Sequence, residues 1–321
     1  MRFVWRTDVH LADRGPSSWK GDYPEEIWSG LQQVADVARE VQATAVLDGG
    51  DFFHHKSPLK NSHGMVRRAI HLHRSEYPCP TYSVEGNHDI THNNLSSVGR
   101  QPLGVMFASG AFRHLSEEVF EDDDGVRVRV VGVPYDPSRS LADLRQHVKK
   151  EGDTHLILVV HALAAKDPPA KVEEFWGEPV FRYADLIQPR GADLFAFGHW
   201  HQDQGVTEID GVQFVNIGSL SRGSLSKENL TRVPKVAVFD VTRTGIQVTS
   251  IPLKVKPAEE VFDLERKKTV DREAESIESF VQKIVLESKF DPSESIEQNI
   301  AKLDFAQEVR DEAMRFLEQF S

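Results

Sequence analysis

Nine residues of metal-ligand type stand in five short motifs, each motif following a compact apolar run. The motifs are Asp8-Val9-His10, Gly50-Asp51, Gly86-Asn87-His88-Asp89, His161 after LILVV, and Gly198-His199-Trp200-His201. A lone Asp-x-His pair, or a lone histidine at a strand end, is more often a satisfied polar residue than a ligand. Five in series, all at expected C-terminal ends of strands, gather where α/β sheets assemble sites. Alternating residues such as Asp8 and His10, or His199 and His201, project toward the same side of an extended segment. One carboxylate can bridge two divalent ions, and imidazoles with an amide oxygen suit borderline ions such as Mn²⁺, Fe²⁺ or Zn²⁺. A pair of ions about 3.5–4 Å apart would clamp a phosphoryl group and bring the pKa of a bridging water toward neutrality. Cys79 is the one cysteine, which excludes an intrachain disulfide and argues against a closed thiolate zinc site.

The elements that must carry these motifs alternate, over the first 200 residues, between short apolar runs and helical patterns. That order predicts an α/β layered domain. Strands are expected at Arg2–Thr7, Thr44–Leu47, Thr81–Val84, Val126–Val133, Leu156–Val160 and Leu194–Phe197. A helix is expected at Pro24–Gln42, where Ile27, Leu31, Val34, Val37 (or Ala38) and Val41 recur every three or four residues. Late strands at Gln213–Ile217, Val236–Asp240 and Ile246–Ile251 form hairpins around Asp-Gly and Thr-Gly turns, and a second sheet packed on the first is their expected place. After Pro257 the pattern becomes helical, with stripes at Ile277, Phe280, Val281, Ile284 and Val285. A further stripe runs through Ile296, Ile300, Leu303, Val309, Ala313, Phe316 and Phe320, behind the capping string Asp291-Pro292-Ser293-Glu294. The organisation expected is a domain over 1–255 and a small acidic helical appendage over 256–321.

The 321 residues are 39% hydrophobic, enough for a large core. No apolar run reaches the roughly 18 residues of a membrane span. The opening MRFVWRTDVH shows no secretory pattern, so a cytoplasmic, membrane-free protein is expected. The formal net charge of −12 is awkward for a partner of nucleic acid, but it is unevenly spread. From Lys256 onward there are 10 basic and 17 acidic residues, whereas Phe52–Ser75 holds five basic residues, five histidines and no acid. That basic stretch faces either polyanions or plain solvent.

The series D-x-H, G-D, G-N-H-D, H and G-H-x-H resembles the calcineurin-like metallophosphoesterase superfamily. The strings GGDFFHH, GNHD and NIGSLSR are similar to its DNA-repair nuclease branch, which includes bacterial SbcD and the meiotic-recombination nuclease. The loop HLADRGPSSWKGDY looks more like phage-encoded members. The resemblance covers roughly residues 1–255 and implies two packed mixed β-sheets flanked by helices. It implies one metal held by Asp8, His10 and His201, a second held by Asn87, His161 and His199, and Asp51 bridging both. His88 would protonate the leaving oxygen, Asp89 would orient His88, and His54 would help place the scissile phosphate. Ser219 matches a Gly-Ser pair near the site, and Lys56, Lys60, Arg67 and Arg68 are candidate DNA contacts. The cofactors implied are two divalent ions, Mn²⁺ first, with Mg²⁺, Fe²⁺ or Zn²⁺ as alternatives. The partners implied are DNA, an SbcC-like SMC-type ATPase and a second copy of the chain. The activity expected is hydrolysis of phosphodiester bonds in DNA, exo- or endonucleolytic. A phosphoesterase for a cyclic nucleotide, a nucleotide or a phosphoprotein is the alternative, and a loop such as Ala164–Val180 would then wall its pocket.

Overall fold

The computed structural model describes residues 1–265 apart from 17, 170 and 171. The helices expected at Ile277–Val285 and from Asp291 to Phe320 lie outside the described residues. The strands in chain order begin β1 (Arg2–Arg6), β2 (Ala45–Asp48), β3 (Thr81–Ser83), β4 (Arg113–His114) and β5 (Glu117–Glu121). Next come β6 (Arg127–Val133), β7 (His155–His161), β8 (Ala164–Ala165), β9 (Phe181–Arg182) and β10 (Leu194–Gly198). The last are β11 (Asp203–Ile209), β12 (Val212–Ile217), β13 (Lys235–Thr242) and β14 (Gly245–Pro252).

Two six-stranded mixed sheets result, ordered β14-β13-β1-β2-β3-β4 and β11-β12-β10-β7-β6-β5. The alternation of β1 shows how they stack. Phe3 and Trp5 point into the layer between the sheets, against Val128, Val130, Ile157, Val159, Ala196 and Val215. Val4, one step out of phase, points to the other face and packs with the helices there. Those helices are α1 (Tyr23–Glu40), α2 (His63–Ser75) and α3 (Pro102–Ala108). Asp22 caps α1 by accepting from Glu25 N at 3.0 Å, and Ile27, Leu31, Val34 and Ala38 form its buried stripe. Ser62 caps α2 through Met65 N, and the Asp13 carboxylate takes both the amide and the hydroxyl of Ser62 at 2.6 Å. That last pair ties the loop after His10 to the start of the basic helix.

The late strands depart from expectation. β11 and β12 extend the second sheet, but β13 and β14 return to the first, with β13 antiparallel to β1 from Arg2↔Asp240 to Trp5↔Ala237. A hairpin signal fixes its own two strands and says nothing about which sheet receives them. Residues Met1–Phe262 form one compact unit. Within it Val261 and Phe262 are buried, Lys20 N donates to Val261 O at 2.7 Å, and the Phe262 ring meets Trp19 at 4.8 Å. Among the described residues no helix is long and apolar enough to cross a membrane.

Candidate metal centre

The C-terminal ends of β1, β2 and β3 in one sheet, and of β7 and β10 in the other, converge on one rim. Each sheet supplies part of the constellation: Asp8, His10, Asp51 and Asn87 from the first, His161, His199 and His201 from the second. The chain leaves these strands abruptly. Asp8, His10, Asp51 and His199 all have left-handed backbones, with φ of 51°, 48°, 54° and 87°. Such conformations cost of order 1–3 kcal/mol each and cluster at functional sites. Glycines make room beside them. A Cβ on Gly86 would lie 2.6 Å from Asp51 N and press on the Asp51 carboxylate, and one on Gly50 would lie 2.7 Å from Gly86 N. The two loops can approach only because neither residue has a side chain.

Two ligand groups share one residue. Asp8, His10, Asp51 and His201 form the first and Asp51, His161 and His199 the second, each with its ligand atoms within 4.8 Å of one another. Asp51 Oδ1 accepts from His88 N at 2.7 Å. Asp51 Oδ2 is buried without a hydrogen-bond partner, 3.7 Å from His10 Nε2 and 3.6 Å from His161 Nε2. An unpaired buried carboxylate oxygen is costly in a protein interior. A divalent cation on either side would satisfy it, and the oxygen and imidazole donors match that need. Asn87 Oδ1 is 3.2 Å from His161 Nε2, which puts the amide beside the second group.

Backbone acceptors select the histidine tautomers. His161 Nδ1 donates to Gly49 O at 2.6 Å, so its Nε2 lone pair faces Asp51 and Asn87. His88 Nδ1 donates to His54 O at 2.6 Å, which leaves Nε2 for the open side. The carboxylates are braced as well. Thr7 Oγ1 donates to Asp8 Oδ2 at 2.7 Å, and His199 N reaches both Asp8 oxygens at 3.2 and 3.0 Å. Burial alone would raise Asp8, but the hydrogen bond and charge of His201, with His161 and His10, hold it well below the usual carboxylate range. Asp51 is pushed up by burial and by the charge of Asp8. Burial lowers His10 and His161, and the neighbouring imidazoles lower His10 further. His54 is brought down to about 4, mostly by burial and the charge of His88.

The structure brings the expected ligands and His88 together. His54 stacks on His88 with ring centroids 5.3 Å apart, and His10 meets both rings edge-on. Three other expectations need correcting. Asp89 does not orient His88: its Oδ2 accepts from Asp51 N at 2.7 Å and Gly86 N at 2.9 Å, so it braces the loop carrying the shared carboxylate. Ser219 is buried, its hydroxyl donating to Ser221 O and accepting from Arg232, so it anchors its own loop and does not present a donor to substrate. Arg68 pairs with Glu25 at 3.2 Å and lies over Trp28 at 4.3 Å, which occupies its charge on the helix surface. Arg67, also on α2, lines a groove with Val66, Ile70, Arg100 and Val105, apart from the ligand groups. Lys56 and Lys60 are exposed, and their charges act on His88 and on His54 with His55. Two residues not foreseen also reach the site. Glu178 Oε1 lies 2.8 Å from His199 Nε2, and the Tyr135 ring is 5.2 Å from that of His199. Tyr135 follows β6 in the string GVPYDPS, a strand-end position like those of the ligands. Glu178 has no such signal.

Paired sheets with a shared carboxylate between two His/Asp groups at their common rim define a phosphoesterase that works with divalent ions. The chain belongs to the calcineurin-like phosphoesterase family, whose pattern matches residues 1–203. It is similar to the DNA double-strand break repair protein Mre11 of Archaeoglobus fulgidus, with 24% identity over 306 residues, 89% of this chain and 64% of that protein. The chain thus spans less than two thirds of that relative's length. Among solved structures it resembles an archaeal phosphodiesterase, with 12% identity and TM-score 0.37, over 78% of this chain and 100% of that one. It also resembles the protein TT1561 of Thermus thermophilus, with 13% identity and TM-score 0.45, over 79% and 99% of the two chains.

Proposed function

We propose that this protein is a metal-dependent DNA nuclease that hydrolyses phosphodiester bonds at a two-ion site. The observation that carries the reading is Asp51, whose unpaired buried Oδ2 stands between the two ligand groups. In this reading Asp8, His10 and His201 hold one ion, and Asn87, His161 and His199 hold the other. Two bound divalent ions supply Lewis-acid stabilisation of the phosphoryl oxygens and a water of lowered pKa. His88, with Nδ1 fixed on the His54 carbonyl, presents Nε2 to the leaving oxygen. Burial lowers its pKa, and an approaching phosphate anion favours the charged imidazolium that gives up the proton. His54, stacked on His88, faces the same phosphate. Lys56 and Lys60 extend the positive surface outward along the path of a nucleic-acid backbone.

The preference for DNA rests on the similarity to a DNA break-repair protein and on these lysines. Mn²⁺ is the ion proposed, and the setting proposed is the cytoplasm. Residues 263–321, beyond the compact unit that ends at Phe262, are proposed as the helical appendage that docks an SbcC-like SMC-type ATPase, with a second copy of the chain completing the assembly. A phosphoesterase for a smaller substrate is the second reading. It is favoured by one observation: the loop around Glu178 does reach His199 and walls that side of the site. Purified protein with Mn²⁺, offered end-labelled duplex, single-stranded DNA and bis(p-nitrophenyl) phosphate, separates the two. Cleavage of the small diester with intact DNA would reject the nuclease reading.

A further inference from the structure

A histidine that serves an ion keeps the lone pair of one nitrogen for it and carries its proton on the other, and His161 and His199 place that proton on different kinds of acceptor. His161 spends its second nitrogen on a backbone carbonyl. His199 Nε2 meets a carboxylate, Glu178 Oε1, at 2.8 Å, with the two side chains only 7% and 10% exposed. Glu178 sits in a braced turn: Gly177 N donates to Glu173 O at 2.8 Å and Val180 N to Glu173 Oε1 at 3.1 Å. Val180 in turn packs with Leu163, Ala165 and Trp200. The Tyr135 ring lies 5.2 Å from that of His199, and burial together with the charge of Glu178 pushes its hydroxyl well above the usual range. Glu178 itself stands outside the group whose ligand atoms converge, Asp51, His161 and His199.

We propose that Glu178 is a positioning residue for the second ion: by accepting the His199 Nε2–H it fixes the tautomer whose Nδ1 lone pair serves as ligand. A neutral imidazole carries one N–H, and an acceptor at one nitrogen decides where the lone pair lies. A carboxylate acceptor also raises the basicity of the opposite nitrogen, and removing such partners typically weakens metal binding by about 10–100-fold. The backbone already holds the ring's base in place, since His199 N is bound to the Asp8 carboxylate. Glu178 therefore controls the ring's electronics and tilt. The proposal rests on the two-ion reading above.

The test is Mn²⁺ binding to the full chain, by calorimetric titration and electron paramagnetic resonance, for wild type, Glu178→Ala and Glu178→Gln. Wild type is expected to take two ions with the spectrum of a spin-coupled pair. In Glu178→Ala one of the two affinities falls by about 10–100-fold while the other holds, and at intermediate Mn²⁺ the spectrum becomes that of an isolated ion. Glu178→Gln, whose amide oxygen accepts the same N–H, retains most of the lost affinity. Two ions at wild-type affinity in Glu178→Ala would overturn the proposal, as would equal loss of both. Loss in Glu178→Gln as deep as in Glu178→Ala would overturn it too, by making the charge the requirement in place of the hydrogen bond. A wild type that binds one ion or none would reject the two-ion reading itself, a pattern distinct from these.

Discussion

Strands β1 and β2 supply two buried polar clusters almost side by side, and the two obey opposite rules. Arg6 and Asp48 are fully buried and paired at 2.6 Å. Arg6 also donates to Tyr77 Oη at 2.6 Å and bonds His73 Nε2 at 2.9 Å. Tyr77 donates on to Leu31 O, and Asp48 Oδ1 accepts from Ser83 Oγ and Gly50 N. All of these groups are matched. A few residues on, Asp8 and Asp51 set two carboxylates among four imidazoles, with an oxygen unpaired and four left-handed backbones. The first cluster is finished by protein alone, whereas the second is complete only with something added. Between these two clusters it is satisfaction, more than burial or charge, that differs.

The sharpest way to break this contrast is to neutralise the two aspartates in turn. Asp51→Asn should abolish hydrolysis and weaken both ions, yet leave the metal-free protein as stable as wild type, because an amide carries no charge to desolvate. Asp48→Asn should do the reverse. Breaking a buried pair costs about 3–5 kcal/mol, read as a lowered Tm, while Mn²⁺ stoichiometry stays unchanged. An Asp51→Asn protein that melts early, or an Asp48→Asn protein that loses metal with its Tm intact, would dissolve the distinction.

His88→Gln probes the outer edge of the second cluster. It should lower kcat by about 10²–10⁴-fold with both ions retained in metal analysis; loss of an ion would make His88 a ligand. Lys56→Ser with Lys60→Ser should then weaken duplex binding and reduce the slope of log affinity against log salt by about 0.9 for every phosphate no longer neutralised. Hydrolysis of bis(p-nitrophenyl) phosphate should hold. Arg68→Ser, whose charge is spent on Glu25, should leave the slope as it is.

The smallest effect is one of pH on the metal-free protein. His54 is held down to about 4 from an ordinary 6.5. Between those values the unfolded chain binds a proton there that the folded chain does not, so its contribution to stability is full above 6.5 and is lost as pH falls toward 4. Wild type should therefore lose Tm relative to His54→Gln across that window, and equal Tm shifts would show that burial does not depress this ring.

The ligands were legible in the sequence because each sits at the end of an apolar strand or within four positions past it, where spacing and strand ends coincide. The central strands were legible for the same reason, down to boundaries within a residue or two. β11, DQGVTEI, was not, since its alternation is weak and its edge is solvated. The sheet joined by β13 and β14 was not legible either, because that pairing spans most of the chain. Asp89 was misplaced by adjacency: it follows His88 in the chain but its carboxylate turns toward Asp51 and Gly86. Arg67 and Arg68 look alike in a string of basic residues, and only the helix face tells which of them meets Glu25. Glu178 lies in a run with other acids, and nothing local reveals that folding carries it to His199.

The glycines that open three of the motifs have a consequence for how such a site can change over generations. Gly50 and Gly86 leave no space for a methyl group, and one on Gly198 would come within 2.7 Å of Gly49 O. In a saturation mutagenesis scored by growth, these positions should be as intolerant as Asp51 or His161 although they donate no electrons to anything. The letters before D, N and H in such a pattern record clearance, and a lineage that loses an activity by altering a ligand can still keep them. Glycines surviving beside a missing ligand would thus mark a decayed enzyme, whereas glycines lost beside intact ligands should not be found.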